Sequence, residues 1–181
     1  MKVYLETHRM ILREFTYLDI DNLVDLDSDP EVTRFINGGK PTARDVIVEQ
    51  VIPRIMQYYQ ELDRQGIWAA MDKRDGACMG WFHLRPNRAN PAETELGYRL
   101  KRKYWGQGFA TEGSLQLIRK AFEELQVPVV VAIADPANGA SRRVMEKTGL
   151  RFMEAYPETD DFIVVKYALS QQDYLGASRE R

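Results

Sequence analysis

The segment Tyr104-Trp105-Gly106-Gln107-Gly108-Phe109-Ala110-Thr111-Glu112 constrains this chain more than any other. Two glycines, an alanine and a hydroxyl lead into a run that carries Leu115, Ile118, Phe122 and Leu125 at helical spacing. Arg119, Lys120, Glu123 and Glu124 fall on other faces, so the run predicts an amphipathic helix. A glycine loop that opens a helix leaves several backbone N–H groups without partners at the positive end of the helix dipole. Such a nest suits a diphosphate, and glycine lets the backbone approach it and adopt positive φ.

The spacing narrows the diphosphate. No Gly-Lys-Ser/Thr follows the first glycine at the distance a Walker loop needs. The dinucleotide pattern Gly-x-Gly-x-x-Gly is half present, with Thr111 in the third glycine's place. Five residues also separate the strand-like run 95–100 from Gly106, where a dinucleotide turn would follow its strand closely. Asp135, at the end of the next apolar run, keeps a ribose-binding acid open. A plain glycine turn into a helix is the remaining alternative.

Around this loop the chain alternates α and β patterns, without repeats or low-complexity linkers. Strands are expected at residues 10–14, 67–71, 78–85, 93–100 and 129–134, with a closing hairpin of 152–156 and 162–169. Asp19 is a candidate cap for a short helix with Leu23, Val24 and Leu26, and Asp29-Pro30 starts another. A longer helix over 43–63 must kink or split at Pro53. A helix over 141–148 ends at Gly149, and residues 171–181 form a polar tail that is expected to fray.

The length of 181 residues fits one domain with a full core. A formal net charge of −2 announces neither a nucleic-acid nor a membrane surface. The single cysteine, Cys78, cannot form an internal disulfide, and with Met79, Trp81 and Phe82 beside it reads as a packed strand thiol. The N-terminus turns polar too early for a signal peptide, and no apolar run reaches membrane-spanning length. A cytoplasmic protein is the expectation.

Four blocks, in order, resemble the GCN5-related N-acetyltransferases (GNAT superfamily) of the RimJ/RimL type. The first is Glu6-Thr7-His8-Arg9-Met10-Ile11-Leu12-Arg13. The second is the strand Glu95-Leu96-Gly97-Tyr98-Arg99-Leu100. The third is the glycine loop, where Trp105 departs from the superfamily's Gln/Arg. The fourth is Asp135-Pro136-Ala137-Asn138-Gly139-Ala140-Ser141 with Met145-Glu146-Lys147-Thr148-Gly149-Leu150. The resemblance implies one α+β domain over residues 1–170. It would hold a mostly antiparallel twisted sheet, a splayed parallel strand pair and helices on both faces.

It also implies an acetyl-CoA-dependent N-acetyltransferase without a metal. The pantetheine arm would run as a pseudo-strand beside Tyr98 and Leu100, and the diphosphate would rest on the amides of Gln107, Gly108, Ala110 and Thr111. Asn138 would orient the arm or the following turn. Lys101, Arg102 and Lys103, or Arg142 and Arg143, would face the 3′-phosphate if they are more than solvated side chains.

Attack requires a neutral amine, so a base must remove a proton. The candidates in order are Glu95, Glu93 and His83, each with a packed or ion-paired role as the alternative. His8 reads as surface or strand packing. Ser141 is the candidate donor to the departing thiolate, with a helix cap as its alternative. The tyrosine acid common in GNAT enzymes falls on Met145, which donates no proton. The acceptor would be an amine, either the N-terminus of a ribosomal or other protein or a small polyamine, amino acid or antibiotic. Acidic Glu154, Glu158, Asp160 and Asp161 in the late hairpin would favour a cationic amine or a basic protein tail, with turn solubility as the equal alternative. A non-catalytic acyl-CoA-binding module is the other class, and relatives commonly dimerise.

Overall fold

The computed structural model describes residues 2–159 and 162–179. Strands β1 (Val3–Glu6) and β2 (Met10–Glu14) form a hairpin, and helices α1 (Ile20–Ser28) and α2 (Pro30–Asn37) follow. Helix α3 (Arg44–Val46) passes through a π turn, Ile47–Val51, into α4 (Ile52–Glu61). Strands β3 (Gly66–Asp72), β4 (Cys78–Pro86) and β5 (Thr94–Leu100) lead by way of the glycine loop into α5 (Phe109–Glu123). Then come β6 (Val129–Ala134), α6 (Gly139–Lys147), β7 (Arg151–Thr159), β8 (Phe162–Ser170) and α7 (Gln171–Arg179).

Among the described residues the eight strands form one sheet in the order β1-β2-β3-β4-β5-β6-β8-β7. Every neighbouring pair is antiparallel except β5 and β6. That parallel pair is brief: Thr94 registers with Val130 and Glu95 with Val131. Residues 96–100 of β5 continue without a β6 partner, while β6 turns its other edge to β8 along its whole length.

Strand alternation divides the side chains between two layers. Phe82, Leu84 and Leu96 join Leu117, Ile118 and Phe122 of α5 in the main core. Ala69 and Trp81 face the other way, toward Phe15, Leu23, Ile47, Ile52 and Ile55 from the N-terminal half. Helices therefore cover both faces of the sheet. The π turn sits just before Pro53, at the first turn of α4, where a missing N–H costs nothing. The predicted split at Pro53 takes this form.

Several local expectations need correction. Leu115 is exposed and the packed stripe of α5 is Leu117, Ile118, Ala121 and Phe122. Gly113 sets this phase, because an added Cβ there would lie 2.4 Å from the Phe82 ring. Asp19 makes no side-chain cap for α1. Its carboxylate instead receives both Arg13 terminal nitrogens at 2.8 and 2.7 Å in a buried pair, and Thr16 caps the turn before it. The stretch read as a fraying tail carries α7 over residues 171–179, with Tyr174 packed on Phe122 and Gln171 donating to the Phe122 carbonyl. Among the described residues no helix is long and apolar enough to cross a membrane.

Gly113→Ala offers a test of opposite signs. Helix propensity alone would stabilise α5 by about 1 kcal/mol. The clash with Phe82 is expected to dominate, so urea unfolding should show a net loss of about 1–3 kcal/mol. Phe82→Leu in the same chain should recover part of that loss.

Candidate active site

The glycine loop is built as its composition demands. Gly106 and Gly108 have φ of 71° and 82°, the left-handed region, and Gly108 occupies the N-cap of α5 without any side-chain cap. The amides of Gln107, Gly108, Phe109, Ala110 and Thr111 find no acceptor among the described residues, and the first helical bond runs from Glu112 N to Gly108 O at 2.9 Å. Trp105, the departure from the family pattern, donates its indole N–H to the Leu100 carbonyl at 2.7 Å. It thereby ties the loop to the end of β5, and it occupies the carbonyl expected beside the pantetheine arm.

The β1–β2 turn holds this loop from outside. Glu112 Oε1 accepts from Thr7 Oγ1 at 2.6 Å and from the Arg9 amide at 2.9 Å, and Oε2 accepts from Arg9 Nε at 2.6 Å. Arg9 also donates to the Gln107 carbonyl at 2.9 Å and lies 4.0 Å over the Phe109 ring. Burial alone would raise the Glu112 carboxyl, but the Thr7 and Arg9 bonds hold it below the usual carboxylate range. Thr7 and Arg9 of the opening motif thus tie the β1–β2 turn to the loop through Glu112 and the Gln107 carbonyl.

Beyond Glu95 and Val131 the gap between β5 and β6 opens into a cavity of about 520 Å³. It reaches both faces of the sheet, since Leu96 and Tyr98 line it from one side and Glu95, Gly97 and Arg99 from the other. Tyr98, Ser114, Ser141 and Met145 border the helix side. Ser114 Oγ is buried and has no hydrogen-bond partner among the described residues, a feature that a serine inside an amphipathic helix does not advertise in sequence. Ser141 lies at the third residue of α6, and the cap is Asn138, whose Oδ1 accepts from Ser141 N at 3.0 Å. Asn138 is therefore engaged in the turn, and Ser141 keeps its hydroxyl free of capping. That hydroxyl lies against Tyr98, whose phenol burial pushes up and Ser141 partly restores. Met145 is buried.

Of the three candidate bases, Glu95 and His83 line the cavity. Glu93 is bound to Lys166 at 2.8 Å, away from it. Cross-strand register aligns His83 with Gly97 and Arg85 with Glu95. The missing Cβ of Gly97 admits the His83 ring, which would otherwise stand 2.6 Å from it, and Trp81 stacks alongside at 5.6 Å. His83 Nε2 lies 3.2 Å from Glu95 Oε1 without an aligned hydrogen bond. Glu95 Oε1 also accepts from Arg85 at 3.0 Å. Burial drives the His83 imidazole below its ordinary value, against the pull of Glu95. Burial likewise works against the Glu95 carboxylate, yet its pKa is lowered, and beside a neutral His83 the charges that hold it down are those of Arg85 and Arg88. The pair at neutral pH is a neutral imidazole beside an ionised carboxylate.

Most of the other sequence candidates are engaged away from this gap. Lys101 and Arg102 bind Asp25 and Asp29 at 2.6 and 3.2 Å, and Lys103 lies over the Tyr104 ring. Arg142 donates to Tyr167 and to the Pro136 carbonyl. Asp135 lines the cavity with one oxygen on the Ala137 amide. Cys78 is buried, its thiol pushed up by burial, and His8 is exposed in the β1–β2 turn. Glu154 sits 4.0 Å from Lys166, Glu158 lines the cavity, and Asp160 and Asp161 lie outside the described residues.

Comparison with known proteins gives the family and the fold. Residues 9–151 match the family model of the acetyltransferase (GNAT) domain. An FsC-acetyl coenzyme A-N(2)-transacetylase of Aspergillus fumigatus is 32% identical, over 90% of this chain and 71% of its own length. A GNAT-family acetyltransferase of Bacillus anthracis superposes with a TM-score of 0.79 at 19% identity, covering 95% of this chain and 99% of that one. The spermidine N-acetyltransferase of Vibrio cholerae, solved with CoA and spermine, gives a TM-score of 0.74 at 14% identity, covering 92% and 98% of the two chains.

The tie between turn and loop yields a measurable expectation. Glu112→Gln keeps an acceptor for Thr7 but loses the charge that holds Arg9. Calorimetry should then show CoA binding weakened by about three- to tenfold. Unchanged affinity would mean that the loop holds its shape without the β1–β2 turn.

Proposed function

The chain belongs to the GNAT acetyltransferase family, and on that premise we propose that it moves the acetyl group of acetyl-CoA to a primary amine by direct attack. The observation that carries this reading is the parallel strand pair that stops after two registers and leaves β5 backbone unpaired, together with the nest of free amides at the start of α5. The residues present fit the cofactor. Gln107, Gly108, Ala110 and Thr111 would hold the diphosphate with their N–H groups, with Arg9 bracing the loop through the Gln107 carbonyl. The free edge of β5 around Tyr98, and the orphaned Ser114 hydroxyl, would satisfy the amide groups of the pantetheine arm. Arg143 makes no hydrogen bond or ion pair among the described residues and is the remaining candidate for the 3′-phosphate.

Bound acetyl-CoA supplies the acetyl group as a thioester, which an uncharged amine can attack. The incoming amine carries a proton at neutral pH, with a pKa near ~8 for an α-amine and ~10 for a lysine-type amine. Neutral His83 accepts that proton, directly or through water, and ionised Glu95 stabilises the imidazolium that results. Glu95 thus acts through charge and position, a narrower role than that of the direct base. On the other side of the gap the Ser141 hydroxyl donates to the departing thiolate, with Tyr98 behind it as a second hydroxyl.

Thiol release from acetyl-CoA, screened against amines of several classes, tests the reaction. Amine-dependent release is the expected result, whereas tight acetyl-CoA binding without it would reduce the chain to a binding module. His83→Asn should lower kcat by about 10²-fold or more while acetyl-CoA affinity is unchanged. The low imidazole pKa keeps His83 proton-accepting until the pH drops below ~6.5. The acid limb of kcat should therefore lie under that value, and a limb above pH 7 would place the proton acceptor elsewhere.

A further inference from the structure

The cavity has a second feature that the transfer chemistry does not use. Arginines from three elements line it: Arg54 from α4, Arg85 from β4 and Arg88 from the β4–β5 connection. Arg85 is committed to Glu95. Arg54 has no hydrogen bond or ion pair among the described residues, and Arg88 has none either, although its charge acts on Glu95 and His83. Both are exposed, so their guanidiniums stand available at the cavity wall. Arg99 also lines it but is neutralised by Asp27. None of residues 106–111 borders this cavity, so these arginines are not part of the phosphate nest.

Among the described residues Glu95, Asp135 and Glu158 share this wall with the arginines. Glu95 is shared between Arg85 and His83, and Asp135 holds the Ala137 amide. Glu158 is exposed, on the hairpin. A polyamine or an aminoglycoside that set a further ammonium against Arg54 or Arg88 would meet a like charge there, which costs affinity. A carboxylate, by contrast, meets the planar fork of an arginine with paired hydrogen bonds.

Resting on the transferase reading above, we infer that the acceptor is a small zwitterionic amine. Its ammonium faces Glu95 and His83, and a carboxylate on the same molecule is bound by Arg54 and Arg88. The arrangement orients the substrate. Glu95 attracts the reacting end while the arginines hold the other, so the amine is presented to the thioester gap in one direction.

The test uses amino acids and dipeptides with free amines, each paired with its C-terminal carboxamide, together with spermidine. Thiol release is followed kinetically, and acetyl-CoA binding is measured by calorimetry on the same protein. Free acids should exceed their carboxamides in kcat/KM by about tenfold or more, since a charge-assisted pair is lost with the carboxylate. Arg54→Gln and Arg88→Gln should each erase most of that preference by raising KM for the free acids, with KM for acetyl-CoA unchanged. Glutamine keeps the polar surface and both positions are exposed, so folding is not at issue. Carboxamides or spermidine used as well as the free acids would overturn the assignment, as would free acids that are not used at all although acetyl-CoA binds. Failure to bind acetyl-CoA would overturn the transferase reading itself and this one with it.

Discussion

The site depends on a pair of parallel strands that stop pairing. Had β5 and β6 stayed in register beyond Glu95 and Val131, the sheet would be continuous and the cavity would not exist. Backbone N–H and C=O groups left open in a protein interior are costly unless something satisfies them. A gap of this kind is therefore a standing demand for an extended, amide-bearing ligand. The same divergence lets side chains from opposite faces of one sheet meet, so Tyr98 and Ser141 approach from the α5 layer while Glu95 and His83 approach from the other.

Placement of α5 relative to that gap is the second constraint. Three contacts fix it: Gly113 against Phe82, the Trp105 indole on the Leu100 carbonyl, and Glu112 in the grip of Thr7 and Arg9. The first sets how close the helix lies to the sheet, the second where it starts along β5, and the third how its opening loop is turned. Residues more than a hundred positions apart in sequence thus determine the direction in which five backbone amides point.

Much of this was readable from the residues and some of it was not. The glycine loop, the strand with Glu95 and the Asn138–Ser141 block carry their geometry locally, through positive φ, alternation and helix capping, so their positions emerged from the chain alone. The phase of α5 did not, because periodicity placed Leu115 inside and only the contact with Phe82 turns the helix to bury Leu117 and Ala121 instead. The ion pairs that claim Asp19, Glu93 and Lys101 depend on partners from other elements. Local pattern could name these residues as candidates but could not show that their charges were already spoken for. The pairing of His83 with Glu95 lay between the two cases: each was a candidate, and the cross-strand register that joins them is a tertiary fact.

Gly97 has no functional group, yet the imidazole that faces the gap rests where its side chain would be. Its tolerance to replacement is therefore governed by another residue's chemistry. Even a methyl group at this position would push His83 off the β5 backbone and away from Glu95, leaving every ionisable atom of the site present but out of place. In a survey of single substitutions such a position would score with the reactive residues, and the sensitivity would belong to a vacancy: the volume that position 97 leaves empty is itself a component of the site.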